Sequence, residues 1–234
     1  MSLIITSTMN VGDIVTQYPQ AADLFKKYKI DFCCGGNRPL HDAILEKNLN
    51  EDEIVQALNE GYEKMQAMNT ETTNWQEVSS ADLIDHVMQT HHAYLTDELP
   101  MIGQFVTKIY RVHGSNHSEL GEVYNHFHDL SKELMEHIIK EDEVIFPLIK
   151  AYEAGPTSEK LEEVKAAITE LEKEHDHAGD LLKLIREITN DYELPVDACM
   201  TYTTTFQRLE ALESDMFIHV HKENNILFPR YLNK

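Results

Sequence analysis

One pattern occurs twice in the second half of the chain, and it constrains the fold more than any other feature. The pattern is H-x3-E-x2-[VI]-[IL]-F-P, found from His137 to Pro147 and again from His219 to Pro229. A spacing of four residues places the histidine and the glutamate on one face of a helix. The duplication therefore predicts two helices that present the same pair of side chains, related by a pseudo-twofold axis.

These histidines and glutamates lie on the apolar seams of their helices. Apolar residues recur at steps of three and four, as in the buried seam of a helix bundle. The seams run through Leu120, Val123, Phe127, Leu130 and Leu134, through Leu161, Val164, Ile168 and Leu171, and through Leu209, Leu212 and Met216. The same steps then reach His137 and Glu141 in the first seam, His175 in the second, and His219 and Glu223 in the third.

A polar group at these depths needs compensation. Burying an ionised carboxylate in an apolar bundle is costly unless a cation neutralises it. A single histidine on a seam is more often a satisfied core residue than a ligand, but the duplicated pair favours a shared metal. Imidazole with carboxylate suits iron, manganese or zinc, and the absence of thiolate from the seams argues against a structural zinc site. Two symmetric ligand sets with room for solvent favour two iron ions.

The remaining sequence predicts an all-α fold. Helical periodicity dominates, alternating strand patterns are not evident, and glycine and proline are scarce. Residues 1–66 predict a small domain of short helices, residues 67–78 a polar linker, and residues 79–234 a four-helix bundle. Short loops between long amphipathic helices are typical of an up-down arrangement.

Four long helices are expected in the bundle. The first begins near Ser79 and is expected to kink or break at Pro100, because proline lacks a hydrogen-bonding N–H. The second spans about 118–151, the third about 158–189, and the fourth follows Pro195. In the first helix, His86 and His91 fit the periodicity about equally well as the ligand.

Charge and composition exclude several functions. The formal net charge is −21, which repels nucleic acid and anionic membranes, so neither is expected as a partner. The N-terminus lacks a basic start with an apolar stretch, and no apolar run approaches the ~20 residues of a membrane helix. The three cysteines, two of them adjacent, make a poor disulfide framework. A reducing cytoplasm is the expected location.

Two parts of the chain resemble known families. Residues 79–234 resemble a hemerythrin-like domain, and the stretch Cys33-Cys34-Gly35-Gly36 resembles the short N-terminal domain of the bacterial RIC (repair of iron centres) proteins. The matching motifs are Leu83-Ile84-Asp85-His86, Glu174-His175-Asp176 and both copies of the repeat. The resemblance implies a di-iron site, bridged by an oxo or hydroxo group, and it favours His86 over His91. The implied ligands are His86, His137, Glu141, His175, His219 and Glu223.

The same resemblance implies a function. It is the restoration of iron–sulfur clusters damaged by nitric oxide or oxidants, through the donation of iron, with damaged iron–sulfur proteins as partners. Two other hypotheses stay open with the same site: an enzyme that reduces nitric oxide or oxygen, and a carrier or sensor of oxygen or iron. Oxygen-carrying hemerythrins use five histidines and an H-x4-D ending, whereas this chain has H-x3-E. A homodimer is also left open.

The cysteines and the other histidines have weaker signals. Cys33 and Cys34 precede two glycines, so they are either an accessible thiol pair that relays iron or a packed cysteine with an incidental neighbour. Cys199 has no expected role. The histidines off the seams are expected at the surface: His113, His117, His126, His128, His177 and His221.

Overall fold

The computed structural model describes residues 4–68 and 73–232. Within those ranges the chain is helical and contains no β-strand, which confirms the predicted all-α class. The chain forms two compact units, Met1–Leu83 with Val220–Lys234, and Ile84–His219. The predicted linker includes residues 69–72, which lie outside the described residues. No helix in the described part of the chain is both long and apolar enough to cross a membrane.

The first unit contains the short N-terminal helices. They are α1 (Val11–Gln17), α2 (Ala21–Lys27), α3 (Leu40–Glu46) and α4 (Glu51–Ala67). Asn50 caps the start of α4, because its side chain accepts a hydrogen bond from the Glu53 N–H at 3.3 Å. The core of these helices is apolar and fully buried, and includes Val11, Ile14, Phe25, Leu40, Ile44 and Leu58.

The long helices come next in the chain. They are α5 (Ser80–Val87) continuing through a π-helical segment, π1 (Met88–His92), into α6 (Ala93–His113); α7 (Leu120–Lys140) continuing through π2 (Glu141–Ile145) into α8 (Phe146–Ala154); α9 (Ser158–Ile188); and α10 (Met200–Lys222) continuing through π3 (Glu223–Leu227) to α11 (Pro229–Leu232). The four predicted helices are confirmed. Pro100 lies inside α6 and does not end it. Its neighbours Leu99 and Ile102 are fully buried, and we attribute the intact helix to that packing.

The helices of the second unit run antiparallel to their neighbours. In each packed pair, contacts join early residues of one helix to late residues of the other, as an up-down bundle requires. These contacts are Thr107–His128 and Tyr110–Tyr124 between α6 and α7, Glu133–His177 and Lys140–Glu170 between α7 and α9, and Glu98–Arg208 and His91–Asp215 between the first and last helices. The predicted seams form the core between them.

Candidate metal centre

Three π-helical segments interrupt the long helices, and each lies at a candidate ligand. His92 is the last residue of π1, Glu141 is the first residue of π2, and Glu223 is the first residue of π3. A π-helical turn accommodates one extra residue and is common at functional sites. The π-helical segment that ends at His92 therefore shifts the register of that side chain, whereas Glu141 and Glu223 keep the regular spacing of four residues from His137 and His219.

One pair of imidazoles lies around Glu141, His92 from the first long helix and His219 from the last. The Nε2 atoms of His92 and His219 lie 3.1 Å apart, and His92 Nε2 lies 3.2 Å from Glu141 Oε2. The two rings are 4.9 Å apart between centroids and inclined by 64°. Two imidazole nitrogens and a carboxylate oxygen thus converge on one small volume.

A second pair of imidazoles lies around the same carboxylate oxygen. The Nε2 atoms of His137 and His175 lie 3.1 Å apart, and His137 Nε2 lies 3.3 Å from Glu141 Oε2. Their rings are 4.8 Å apart and inclined by 64°, which nearly reproduces the first pair. The internal symmetry predicted from the duplicated pattern is therefore present in the side-chain geometry, with Glu141 shared by both groups.

The donor set fits metal ions. All five residues of the two groups are buried, and Glu141 and His219 are fully so; the other three are His92, His137 and His175. In each three-residue group the donor atoms lie within 4.8 Å of one another, compatible with a common ion ~2 Å from each. A buried carboxylate among neutral imidazoles needs a cation for charge balance. Imidazole and carboxylate without thiolate suit iron, and the buried groups indicate an iron-binding site.

Carboxylates on the outer side orient two of the imidazoles. Asp142 Oδ1 accepts a hydrogen bond from His92 Nδ1 at 2.7 Å, and Glu174 Oε2 accepts one from His137 Nδ1 at 2.7 Å. With the proton held on Nδ1, the Nε2 lone pair faces inward, as a metal ligand requires. The His137 hydrogen bond, helped by Lys140, lowers the pKa of Glu174 to about 2. Glu174 therefore stays ionised and keeps His137 in this tautomer.

The structure does not bring His86 into either ligand group. His86 is half-buried, with its ring edge-on to His91 at 6.0 Å. His91 is buried, but its Nδ1 bonds to Asp215 at 2.9 Å and its ring stacks on His219 at 5.2 Å. His92, six residues after His86, contributes its Nε2 to the first group of converging donor atoms. A count by regular helical period misses it because π1 adds a residue just before it.

Glu223 repeats the position of Glu141. It begins π3 as Glu141 begins π2, each four residues after a histidine of the repeat, and it is fully buried. Of the six predicted ligands, the second unit thus brings together His137, Glu141, His175 and His219, while Glu223 belongs to the first unit.

A surface cleft of about 540 Å³ opens over His137 and His175. Its walls carry charged side chains of both signs, namely Glu133, Glu136, Lys140, Glu170, Lys173 and Glu174. The cleft gives solutes from solvent a direct approach to one ligand pair.

The adjacent cysteines lie in the first unit and are both free thiols. Cys33 is buried and its sulfur lies 3.8 Å from that of Cys34, which is half-buried. Asp31 Oδ1 accepts hydrogen bonds from the backbone N–H groups of Cys33, Cys34 and Gly35, each at 3.1 Å. The hydrogen bond with Cys34, burial and the Asp31 charge raise the pKa of Cys33 well above its usual value, so its thiol stays protonated.

The end of the last helix packs around this cysteine turn. Asn225 Nδ2 donates to the carbonyl oxygens of Cys33 and Phe32 at 2.8 and 3.3 Å. A side chain at Gly12 or Gly36 would collide with Asn225, so both positions need glycine while Asn225 is there. The absence of a side chain at Gly12 and Gly36 therefore lets Asn225 pack closely against the cysteine turn within the first unit.

The prediction that His221 lies at the surface is wrong. His221 is buried, with its Nε2 3.3 Å from the Thr16 hydroxyl and its Nδ1 3.3 Å from the Phe32 carbonyl. Burial lowers its pKa to about 4, so the ring is neutral near pH 7. The helical seam gave no signal for this position because residues from α1 and the cysteine turn, distant in sequence, cover it.

The fold and the ligand groups define a hemerythrin-type metal-binding helical bundle. Residues 83–231 match the family model described as the hemerythrin HHE cation binding domain. Residues 7–62 match a second model, ScdA_N, described as a domain of unknown function (DUF542). Both matches lie in the order that the sequence motifs predicted.

Similar proteins cover nearly the whole chain. The iron–sulfur cluster repair protein ScdA of Staphylococcus haemolyticus is 32% identical over 97% of this chain and 100% of the relative. The iron–sulfur cluster repair protein YtfE of an Enterobacter species is 34% identical over 95% of this chain and 96% of the relative. A protein of Haemophilus influenzae described as a probable iron–sulfur cluster repair protein is 32% identical over 96% of each. The chain belongs to the family of iron–sulfur cluster repair proteins.

Proposed function

We propose that this chain binds two iron ions and restores iron–sulfur clusters damaged by nitric oxide or oxidants, by donating iron. The observation that carries the proposal is the pair of near-identical groups around Glu141, which contacts His92 and His137 at 3.2 and 3.3 Å. Two equivalent groups that share a carboxylate suit two equivalent ions. The relatives are named for iron–sulfur cluster repair, which is the activity proposed for this chain.

Each group would hold one ion. His92 and His219 would hold the first, and His137 and His175 the second, with Glu141 bridging them. We assign Glu223 as a second bridging carboxylate because it repeats the position of Glu141 in the duplicated pattern and is fully buried. An oxo or hydroxo group would complete the bridge.

His92 replaces His86 in this proposal. The ligand set keeps the predicted count of four imidazoles and two carboxylates, but the first helix contributes His92. The reason is geometric: the donor atoms of His92, Glu141 and His219 converge, whereas His86 lies in neither ligand group.

When bound, ferrous ions would supply open positions for a diatomic gas, and iron for a cluster that has lost it. The protein's own residues prepare the site. Asp142 and Glu174 hold the Nδ1 protons of His92 and His137, so each Nε2 stays available to a metal ion. Lys140 donates to Glu174 at 2.8 Å and holds that carboxylate at the wall of the cleft.

The cleft also supports the second hypothesis, reduction of nitric oxide or oxygen. A small diatomic could reach the edge of the His137–His175 pair from solvent without a large rearrangement. Multiple turnovers of nitric oxide with an added electron donor would favour this enzyme activity. Reversible oxygen binding without oxidation of the iron would instead favour a carrier or sensor.

The cysteine relay stays a proposal, and Cys34 is the better candidate for the sulfur that carries iron. A protonated, buried Cys33 is a poor metal ligand, because the thiolate is the form that binds metals. Cys34 is the more accessible sulfur. Replacing both residues by serine is expected to leave the iron content unchanged and to slow delivery.

The test of the proposed function is recovery of a cluster enzyme after nitric oxide treatment. Iron-loaded protein should restore activity in an anaerobic mixture without other added iron, and Glu141→Leu should not. His126→Gln is the matched control, because His126 is half-buried and lies outside both ligand groups. Equal recovery with Glu141→Leu would contradict the proposal.

A further inference from the structure

A second cluster of potential metal ligands lies at the opposite end of the bundle. His113 ends α6, His117 lies in the loop to α7, and Asp197 and Cys199 come just before α10. His113 is separated from His92 by the length of α6, about 30 Å at ~1.5 Å per residue. This cluster is therefore separate from the candidate iron site.

The four side chains form two close pairs. His113 Nε2 lies 3.2 Å from Cys199 Sγ, and His117 Nε2 lies 3.0 Å from Asp197 Oδ1. The rings of the two histidines are 6.4 Å apart between centroids. Both rings pack edge-on to Tyr202, at 5.4 and 5.7 Å between centroids. The Tyr202 side chain is almost fully buried beneath them.

The environment of His117 matches that of the histidines at the iron site. Its Nδ1 bonds to Glu119 Oε1 at 3.2 Å, while its Nε2 faces Asp197. His92 and His137 show the same division, with Nδ1 on an outer carboxylate and Nε2 directed inward. A carboxylate on one ring nitrogen orients the other toward a metal and raises its basicity.

The donor types favour one class of ion. A thiolate, two imidazoles and a carboxylate are the ligands of four-coordinate zinc sites. Cys199 is exposed and both histidines are half-buried, so an ion from solvent can reach them. The two pairs are separate, so an ion would have to draw them together by side-chain rotations.

We propose that His113, His117, Asp197 and Cys199 form a second site, for a single divalent transition-metal ion of the Zn²⁺ class. Binding forms a metal–sulfur bond, and the Cys199 thiol releases its proton to solvent. The ion would tie the loop after α6 to the start of α10, two segments that are distant in sequence. The simpler alternative is a latch in which the same residues only hydrogen-bond to one another.

The two interpretations differ in what they require of the sulfur. The test uses the full chain with its iron site loaded, under anaerobic conditions, and adds Co²⁺ as a spectroscopic probe for Zn²⁺. The second site predicts one equivalent of bound Co²⁺ with thiolate-to-cobalt charge-transfer absorption. Cys199→Ser should abolish that absorption, and Cys34→Ser, which removes a thiol elsewhere, should leave it intact.

Two further measurements and a control for folding keep the result decisive. His117→Gln should weaken Co²⁺ binding ~10- to 100-fold, the size expected for loss of a ligand or its orientation. Zn²⁺ should slow alkylation of Cys199 in the wild type. Circular dichroism melting curves of each variant check that the fold is intact. Absence of the absorption in the wild type, its persistence in Cys199→Ser, or alkylation unaffected by Zn²⁺ would overturn the proposal and leave the latch.

Discussion

The two copies of the duplicated pattern agree at the proposed ligand positions and at the buried core positions. They differ at the residues that lie between those positions. Phe146 and Phe228 are both buried, as are the glutamates that begin π2 and π3. The middle residues have diverged. In the first copy Val144 is 58% exposed, whereas the equivalent Ile226 in the second copy is 5% exposed.

The divergence reflects two different tasks. In the first copy, Asp142 comes directly after the glutamate and orients His92. In the second copy, Asn225 holds the carbonyl groups of the cysteine turn, and π3 packs on α1. The repeat thus keeps the spacing of its histidine and its glutamate, while the residues beside them differ according to the element that packs against them.

The largest expected effect comes from the shared glutamates. Glu141→Leu and Glu223→Leu should each abolish iron binding at both positions, because each carboxylate is proposed to bridge the two ions. Apo-protein stability should be unchanged or higher, since a buried carboxylate is costly and leucine has similar size. Metal analysis and thermal melting of the apo proteins measure both effects.

A difference in iron content between the two variants would show that Glu141 and Glu223 are not equivalent in metal binding. If Glu223→Leu retained full iron, the second copy would contribute only His219, and the bridge would depend on Glu141 alone. A large loss of apo stability in either variant would show that the carboxylate has a structural role that the metal site does not explain.

The next largest effect separates His92 from His86. His92→Gln should remove or strongly weaken one of the two iron positions, because its Nε2 lies 3.1 Å from that of His219. His86→Gln should retain both. Iron content after gel filtration in chelator distinguishes the two variants. The opposite ranking would restore the ligand implied by sequence resemblance.

Asp142→Asn addresses the residue that distinguishes the first copy. An amide can present its N–H to His92 and favour the wrong tautomer, so iron affinity should fall ~10- to 100-fold. Apo stability should change little, because Asp142 is only partly buried. Competition with a chelator of known affinity measures the change. An unaltered affinity would make the Asp142 contact incidental to metal binding.

The smallest effect concerns the residue that distinguishes the second copy. Asn225→Leu should destabilise the protein by ~1–3 kcal/mol, because the carbonyls of Phe32 and Cys33 lose a donor. Iron content should not change. Glu143→Leu, at the equivalent exposed position of the first copy, is the control and should stay within ~0.5 kcal/mol. Chemical denaturation curves compare the two, and equal stabilities would refute a specific role for Asn225.

Regular helical periodicity was sufficient to predict the helices and most of the residues whose donor atoms converge at the candidate metal centre. The seams placed His137, Glu141, His175 and His219 in the core, and the structure brings their side chains together. His92 could not be assigned that way, because the π-helical segment before it shifts the register and a count at constant period cannot include the shift.

Helical periodicity also could not predict contacts between residues that are distant in sequence. His221 is buried by Thr16 and Phe32, and no pattern near residue 221 signals those neighbours. The orienting roles of Asp142 and Glu174 depend on which helix packs beside them. The sequence gives only a weak hint of these roles, since acidic residues adjoin the predicted ligands but are also common on exposed helix faces.

The most direct test of the central claim is Mössbauer spectroscopy, with metal analysis, on anaerobically purified protein. The claim is that Glu141 is shared by two equivalent metal positions, one on each pair of histidines. Two irons per chain are expected, in closely similar environments and magnetically coupled to each other. A single isolated iron, two uncoupled irons, or zinc in place of iron would contradict it.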